Sequence, residues 1–221
     1  MNCQTHTLAR ILILCVLILS FKTGLAQNKE FTTGIFAGFY GIHIEGDIDY
    51  MYSPTDGNIW GTGGLSFGFN VRHYFSDHIY GAFDLRYIQK GSIFEFLNPY
   101  GLPAYVTIKL HYIEIPILAG FKINLKKKYL LAETGLAYGR MFSSKMSVSE
   151  YYSWDPSSKM AEFKKNDFSW VANIKYPVIR SKKLLVGFRF SYSLASIHKV
   201  YNLHNMDYGV EVYYLFNNNI K

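Results

Sequence analysis

The chain has 221 residues, enough for one domain with a sizeable core, and its balance of 49% hydrophobic to 18% charged residues is low in charge for a soluble domain. Aromatic residues reach 18%, with 19 Tyr and 17 Phe, a loading that suits surfaces part apolar and part wet, such as membrane interfaces or a sugar-binding sandwich. A net charge of +7 would ordinarily raise nucleic acid as a partner, but the first residues carry an export signal and exclude it.

In that first segment Arg10 precedes an apolar run, Ile11 to Leu19, extended by Phe21. Thr23-Gly24-Leu25-Ala26 then places small residues before a cut after Ala26, the pattern of a secretory signal peptide. The run is short for a transmembrane helix. Leu14 precedes Cys15 where a lipoprotein needs a small residue. Residues 1–26 are therefore assigned to a signal peptide and 27–221 to the mature domain. Cys3 and Cys15 both lie in the signal, so no disulfide staples the mature chain. Without Arg10 and Lys22, 21 basic residues stand against 16 acidic ones, a net of +5. A positive exported surface suits anionic lipopolysaccharide as a partner.

No mature stretch reaches 18 consecutive apolar residues. The recurring pattern has period two, the mark of strands with two unlike faces. Eight such segments follow in order: 31–44, 60–75, 79–95, 105–123, 129–146, 168–180, 184–199 and 206–216. In the second, Leu65, Phe67, Phe69 and Val71 oppose Ser66, Gly68, Asn70 and Arg72. In the fourth, His111, Ile113, Ile115, Ile117 and Phe121 oppose Glu114, Pro116, Gly120 and Lys122. Its upper end shows the other phase, with Val106, Ile108, Leu110 and Tyr112 as the apolar row; a bulge near Tyr112 would reconcile the halves. In the seventh, Val186, Phe188, Phe190 and Tyr192 oppose Gly187, Arg189, Ser191 and Ser193. In the eighth, Tyr208, Val210, Val212, Tyr214 and Phe216 oppose Asp207, Gly209 and Glu211.

The connections alternate in length. Residues 45–59, 96–104 and 147–167 are longer and polar, whereas 76–78, 124–128 and 181–183 are short. An even strand count with alternating loops predicts an all-β, eight-stranded antiparallel up-and-down transmembrane β-barrel of a Gram-negative outer membrane, with both termini periplasmic. The apolar rows then face lipid and the Gly, Ser, Asn and charged rows face the lumen. Arg72, Arg86, Lys90, Lys122, Lys175 and Arg189 would meet Asp84, Glu114, Glu133 and Glu211 there. Eight strands leave an interior just wide enough for side chains, so a filled, ion-paired structural plug is expected. An ion or proton path through the same residues is the sharper alternative.

Chemical motifs are weak. Gly64-Leu65-Ser66-Phe67-Gly68 matches a nucleophile elbow in letters but lies inside an alternating strand, without the helix that exposes the serine. The seven His have no metal-ligand spacing, and no metal or other cofactor is assigned. His73 and His111 fall on apolar faces near strand ends. The expected partners are outer-membrane lipid and lipopolysaccharide, with envelope proteins reached through the external loops. Two other readings remain open: a soluble exported barrel binding an apolar ligand, and an outer-membrane lipid-modifying enzyme recruiting Ser66, His73 and Glu114.

Two segments carry a family resemblance. Leu110-His111-Tyr112-Ile113-Glu114-Ile115-Pro116-Ile117-Leu118 resembles the Y-x-E-I-P strand of the PorT-like outer-membrane β-barrel family. Arg86-Tyr87-Ile88-Gln89-Lys90-Gly91 resembles the strand before it, and the more generic Tyr208-Gly209-Val210-Glu211-Val212 the closing strand. The resemblance implies an eight-stranded barrel integral to the outer membrane. It implies little about activity beyond the namesake's link to protein secretion and maturation. Barrels of this kind often finish on an aromatic residue, whereas Phe216 here is followed by five more residues, Asn217 to Lys221.

Overall fold

The computed structural model describes residues 31–46, 58–97, 103–126, 128–148, 162–178 and 182–217, and most of them are strand. The strands are β1 (Phe31–Gly46), β2 (Asn58–Trp60), β3 (Thr62–Tyr74), β4 (Ile79–Leu97), β5 (Pro103–Leu125), β6 (Lys128–Val148), β7 (Asn166–Pro177), β8 (Leu184–Ser193) and β9 (Leu203–Leu215). The signal peptide expected at 1–26 and parts of the loops expected at 45–59, 96–104 and 147–167 lie outside the described residues.

Every pairing is antiparallel. The order β2-β4-β3-β1-β9-β8-β7-β6-β5 returns to its start through a β4–β5 pairing, so the sheet is a ring. The short β2 continues β3 past Gly61 along the same neighbour, with Ile59 opposite Phe94. The barrel thus has eight staves. Phe31 pairs with His73, placing the start of β1 at the end that carries the short turns, and β9 finishes beside it, with Phe216 N–H donating to the Thr33 carbonyl at 2.9 Å. Among the described residues each of the eight staves pairs with a neighbour on both sides, as closure requires.

Alternation decides which way each row points. Phe39, Phe67, Phe69, Ile117, Leu136, Phe188, Val210 and Val212 lie on the outer wall, and Ile117 is 67% exposed. The charged and small residues between them are buried inside. An apolar patch this large is not tolerated on a soluble monomer but is what a lipid-facing wall requires. On β5, ten residues separate the turn-end Phe121 from the loop-end His111, both outward. At about 3.4 Å per residue and a tilt of about 40°, that is roughly 25 Å, the height of a lipid-facing band.

The lumen differs from the sequence expectation in one respect: its two ends are apolar. Ile42, Ile44, Val106, Ile108, Leu110, Phe163, Ile197 and Leu203 fill the loop end, and Leu118, Leu131, Leu185, Tyr213 and Leu215 the turn end. β5 therefore keeps a single phase from Ala104 to Lys122, even-numbered residues inward throughout, and has no bulge of its own. The extra residue sits on β6. His111 pairs with Ser143 and Tyr112 with Met141, which leaves Phe142 without a partner in that register. Odd residues of β6 point inward up to Met141; beyond Phe142 the phase reverses, and Met146 and Val148 pack on the loop-end cluster.

β8 also ends earlier than its alternation suggested. Residues 194–202 leave the ladder and fold over the loop end, where Phe163 and His198 form an isolated bridge. Lys164 N–H donates to the Ile197 carbonyl at 2.7 Å, and Lys199 N–H to that of Glu162 at 3.0 Å.

Large inward tyrosines fit over small partners. Tyr80 lies opposite Gly120, where a Cβ would stand 2.2 Å from its Cζ atom. Tyr40 covers Gly209 in the same way, with Cδ1 2.7 Å from the Cβ position. Gly91 closes the Q-K-G segment with φ at +145°, where a Cβ would lie 2.0 Å from the Ile108 carbonyl oxygen, so only glycine fits.

Candidate functional site: a charged layer across the lumen

Between the two apolar ends the lumen holds a charged layer. Alternation turns Arg72, Asp84, Arg86, Lys90, Glu114, Lys122, Glu133, Lys175, Arg189 and Glu211 inward, and all ten are buried. Nine of them gather into two linked groups; Lys122 lies at the turn end, its Nζ 5.9 Å from the centre of the Tyr129 ring.

Glu114 is the hub. Its carboxylate meets Lys90 Nζ at 3.0 Å and Arg86 Nε at 4.0 Å, and accepts from Arg189. Arg86 donates to Asp84 at 2.8 Å and to Glu211 at 2.9 Å. Glu211 also accepts from the hydroxyls of Tyr40 and Tyr213, and Asp84 from Asn70. The second group lies toward the turns. There Glu133 meets Lys175 at 2.6 Å and Arg72 at 3.5 Å, and accepts from Tyr80 at 3.0 Å and Asn173 at 2.9 Å. Tyr213 joins the two groups: its hydroxyl is on Glu211 and its ring lies 4.2 Å from Lys175 Nζ.

These contacts cross the lumen. Arg189 on β8 reaches Glu114 on β5, Arg86 on β4 reaches Glu211 on β9, and Arg72 on β3 reaches Glu133 on β6, each with two strands between. Burying such charges costs several kcal/mol each unless partners and hydrogen bonds offset it. Every charge of the two groups has an ion-pair partner, whereas the Arg72 guanidinium makes no hydrogen bond among the described residues.

Two acids belong to the layer that sequence reasoning left out. Asp167 accepts from Lys90 at 3.0 Å, Ser193 at 2.7 Å and Asn205 at 3.0 Å. Asp207 lies 3.5 Å from Lys90 Nζ. Among the described residues the buried lumen then holds six Lys or Arg against six Asp or Glu. Asp207 already showed the inward parity of Gly209 and Glu211. Asp167 falls one residue before the alternation seen from Phe168 onward, and the outward direction of Phe168 was the available signal.

The two motif segments lie side by side as β4 and β5, and they supply this hub. Arg86 and Glu114 are direct cross-strand partners, and Lys90 lies one inward position further along β4 than Ile88. Pro116 lacks an N–H, and the β4–β5 ladder is interrupted opposite it, between Arg86↔Glu114 and Phe83↔Ile117.

Ser66 and His73 do not converge: Ser66 is buried in the lumen, and His73 lies on the opposite face of β3, its ring tilted against Phe31 with centroids 4.5 Å apart. Outside the lumen, Tyr87 and His111 share a hydrogen bond of 2.7 Å on the outer wall at the loop end. Tyr192 and His204 stack at 5.6 Å on the same wall.

Residues 25–199 match the family described as outer membrane protein beta-barrel domain. Solved structures of low identity are similar to the chain over most of its length. Ail of Yersinia pestis, determined with the heparin analogue sucrose octasulfate, is 12% identical, with 85% of this chain and 99% of that chain covered and a TM-score of 0.44. OprG of Pseudomonas aeruginosa is 8% identical, with 85% and 95% covered and a TM-score of 0.45. Neisserial surface protein A is 13% identical, with 82% and 96% covered and a TM-score of 0.42. No curated protein sequence matches the chain.

Proposed function

This chain belongs to the outer membrane protein beta-barrel domain family, and we propose that it is a non-enzymatic integral barrel with a filled lumen, serving a structural, adhesive or secretion-accessory role in the cell envelope. The observation that carries this reading is the set of ion pairs spanning the lumen from opposite walls, closed above and below by apolar side chains. Ion pairs at mid-height between two apolar ends support a closed plug over a channel. Specificity then belongs to the longer connections, because loops vary freely on a rigid scaffold.

Kinship with the PorT-like group rests on Arg86, Lys90, Gly91, Tyr112, Glu114 and Pro116, which form neighbouring strands and the charge hub. In this reading residues 1–26 are the cleaved signal and the short-turn end, with both termini, faces the periplasm. Lipopolysaccharide and envelope proteins are the expected partners at the other end. A soluble carrier of apolar ligands is disfavoured by the apolar outer wall.

The test is membrane fractionation followed by reconstitution. The mature protein should remain with the outer membrane after carbonate washing and should give no stable conductance in planar bilayers. Recovery from the soluble periplasm, or an open porin-like channel from the purified monomer, would overturn the reading.

A further inference from the structure

The outer wall of β5 and β6 carries a cationic patch at its loop end. Lys109 and Lys145 are direct cross-strand partners and both are exposed. Like charges placed directly opposite on neighbouring strands destabilise a sheet. Among the described residues neither lysine forms an ion pair. The neighbours on the flanking strands do not compensate them. Lys109 faces Gly91 on β4, and the nearest outward acid further along that strand, Glu95, already accepts from Trp60 at 2.9 Å and Tyr105 at 3.3 Å. A third cation, Arg140, lies on the same wall opposite Ile113, and donates to Asn166 at 2.7 Å.

The repulsive pair is a product of the bulge. Odd residues of β6 point into the lumen up to Met141; were Phe142 an ordinary paired member of the ladder, Lys145 would continue that row inward. The bulge re-aims it outward, opposite Lys109. The patch also sits at a particular height. Directly below it, toward mid-barrel, lie the Tyr87–His111 pair and the Phe142 ring, whose centroid is 6.2 Å from each of theirs. Aromatic girdles mark the membrane interface, so the lysines stand at the level of lipid headgroups.

We propose that Lys109 and Lys145 form a docking site for the phosphoryl groups of lipopolysaccharide, with its acyl chains lying against Phe142 and Ile113. A phosphate seated between the two ammonium groups replaces their repulsion by two charge-assisted contacts. The site rests on the orientation given above, with the loop end facing outward.

The test uses the complete mature chain folded in detergent micelles and titrated with lipopolysaccharide. The K109Q/K145Q double variant should bind roughly thirtyfold more weakly, whereas K109R/K145R should bind like the wild type. K128Q/K183Q, at the turn end, should change affinity by less than about twofold. Lipopolysaccharide stripped of its phosphates should bind the wild type no better than intact material binds K109Q/K145Q. Equal affinity of K109Q/K145Q and wild type, or of stripped and intact lipid, would overturn the site. Full competition by millimolar inorganic phosphate would show a free-anion site instead and overturn the lipid assignment. A wild-type barrel that inserts and stays closed but ignores lipopolysaccharide overturns this inference alone; a soluble barrel overturns the reading on which it rests.

Discussion

Arg86 and Glu211 meet at 2.9 Å although they hang from β4 and β9, strands separated by β3 and β1 around the ring. The guanidinium is therefore a strut across the lumen rather than a neighbour's contact. Arg189 to Glu114 and Lys90 to Asp167 repeat the arrangement from other staves. An eight-stranded barrel is narrow enough for one long side chain to span it. The middle of the lumen is thus tied together by charge, between two apolar ends.

Removing the hub should unbalance several cations at once. Glu114→Ala leaves Lys90, Arg86 and Arg189 without their shared carboxylate. Loss of one partner from a buried pair typically costs about 3–5 kcal/mol. Glu95→Ala, on the outer wall, should cost about 1 kcal/mol or less. Urea unfolding in micelles measures both, and similar values for the two would show that the lumen network adds little to stability. The pair E114A/R189A should cost less than the sum of the single changes, because the second deletion removes an unpaired charge.

Much of this architecture is legible in the sequence, for a physical reason. A strand that separates lipid from lumen must alternate, so Phe188-Arg189-Phe190-Ser191 announces both its structure and its facing. The same logic reaches Arg72, Glu133 and Lys175. It fails where the lumen itself is apolar. Val106, Ile108 and Leu110 read as an outward row in the wrong phase, because side chains of the loop-end core look like lipid-facing ones. Pairings between opposite walls were likewise hidden: alternation says that Arg86 points inward but not that it meets Glu211. Adjacent-strand reasoning found Arg86 with Glu114 and missed the struts.

The facing of β8 can be tested by charge. Phe190 lies on the outer wall and Ser191 is buried in the lumen. An arginine in place of Phe190 near mid-bilayer should cost about 2–4 kcal/mol in a lipid environment. Spin labels at 188 and 190 should be reached by a lipid-soluble quencher and labels at 189 and 191 protected from it. The inverse pattern would mean that the rows are reversed.

Tyr80 and Gly120 offer a test of the lumen's packing without charge. A Cβ at position 120 would stand 2.2 Å from Tyr80 Cζ, and the ring is held by its hydroxyl's hydrogen bond to Glu133. Gly120→Ala should destabilise by about 1–3 kcal/mol, the usual cost of overpacking. In a Tyr80→Ala background the same change should cost much less, because the obstructing ring is gone. Equal costs in the two backgrounds would show that the ring moves aside freely.

The bulge on β6 takes up one extra residue, so removing that residue should disturb the barrel little. Phe142 lies on the outer wall and is exposed, so Phe142→Ala should cost about 1 kcal/mol or less. Deleting residue 142 brings Ser143 directly after Met141, and these two already pair with His111 and Tyr112, so the ladder runs on without a bulge. Lys145 then stays outward opposite Lys109, and Met146 and Val148 keep their places against the loop-end cluster. Hydrogen exchange along Val106 to Leu110 should therefore stay near wild type in the deletion, as in Phe142→Ala. Quickened exchange in the deletion alone would show that the local twist of the bulge, and not the pairing on either side of it, holds the loop end of β5 and β6 in place.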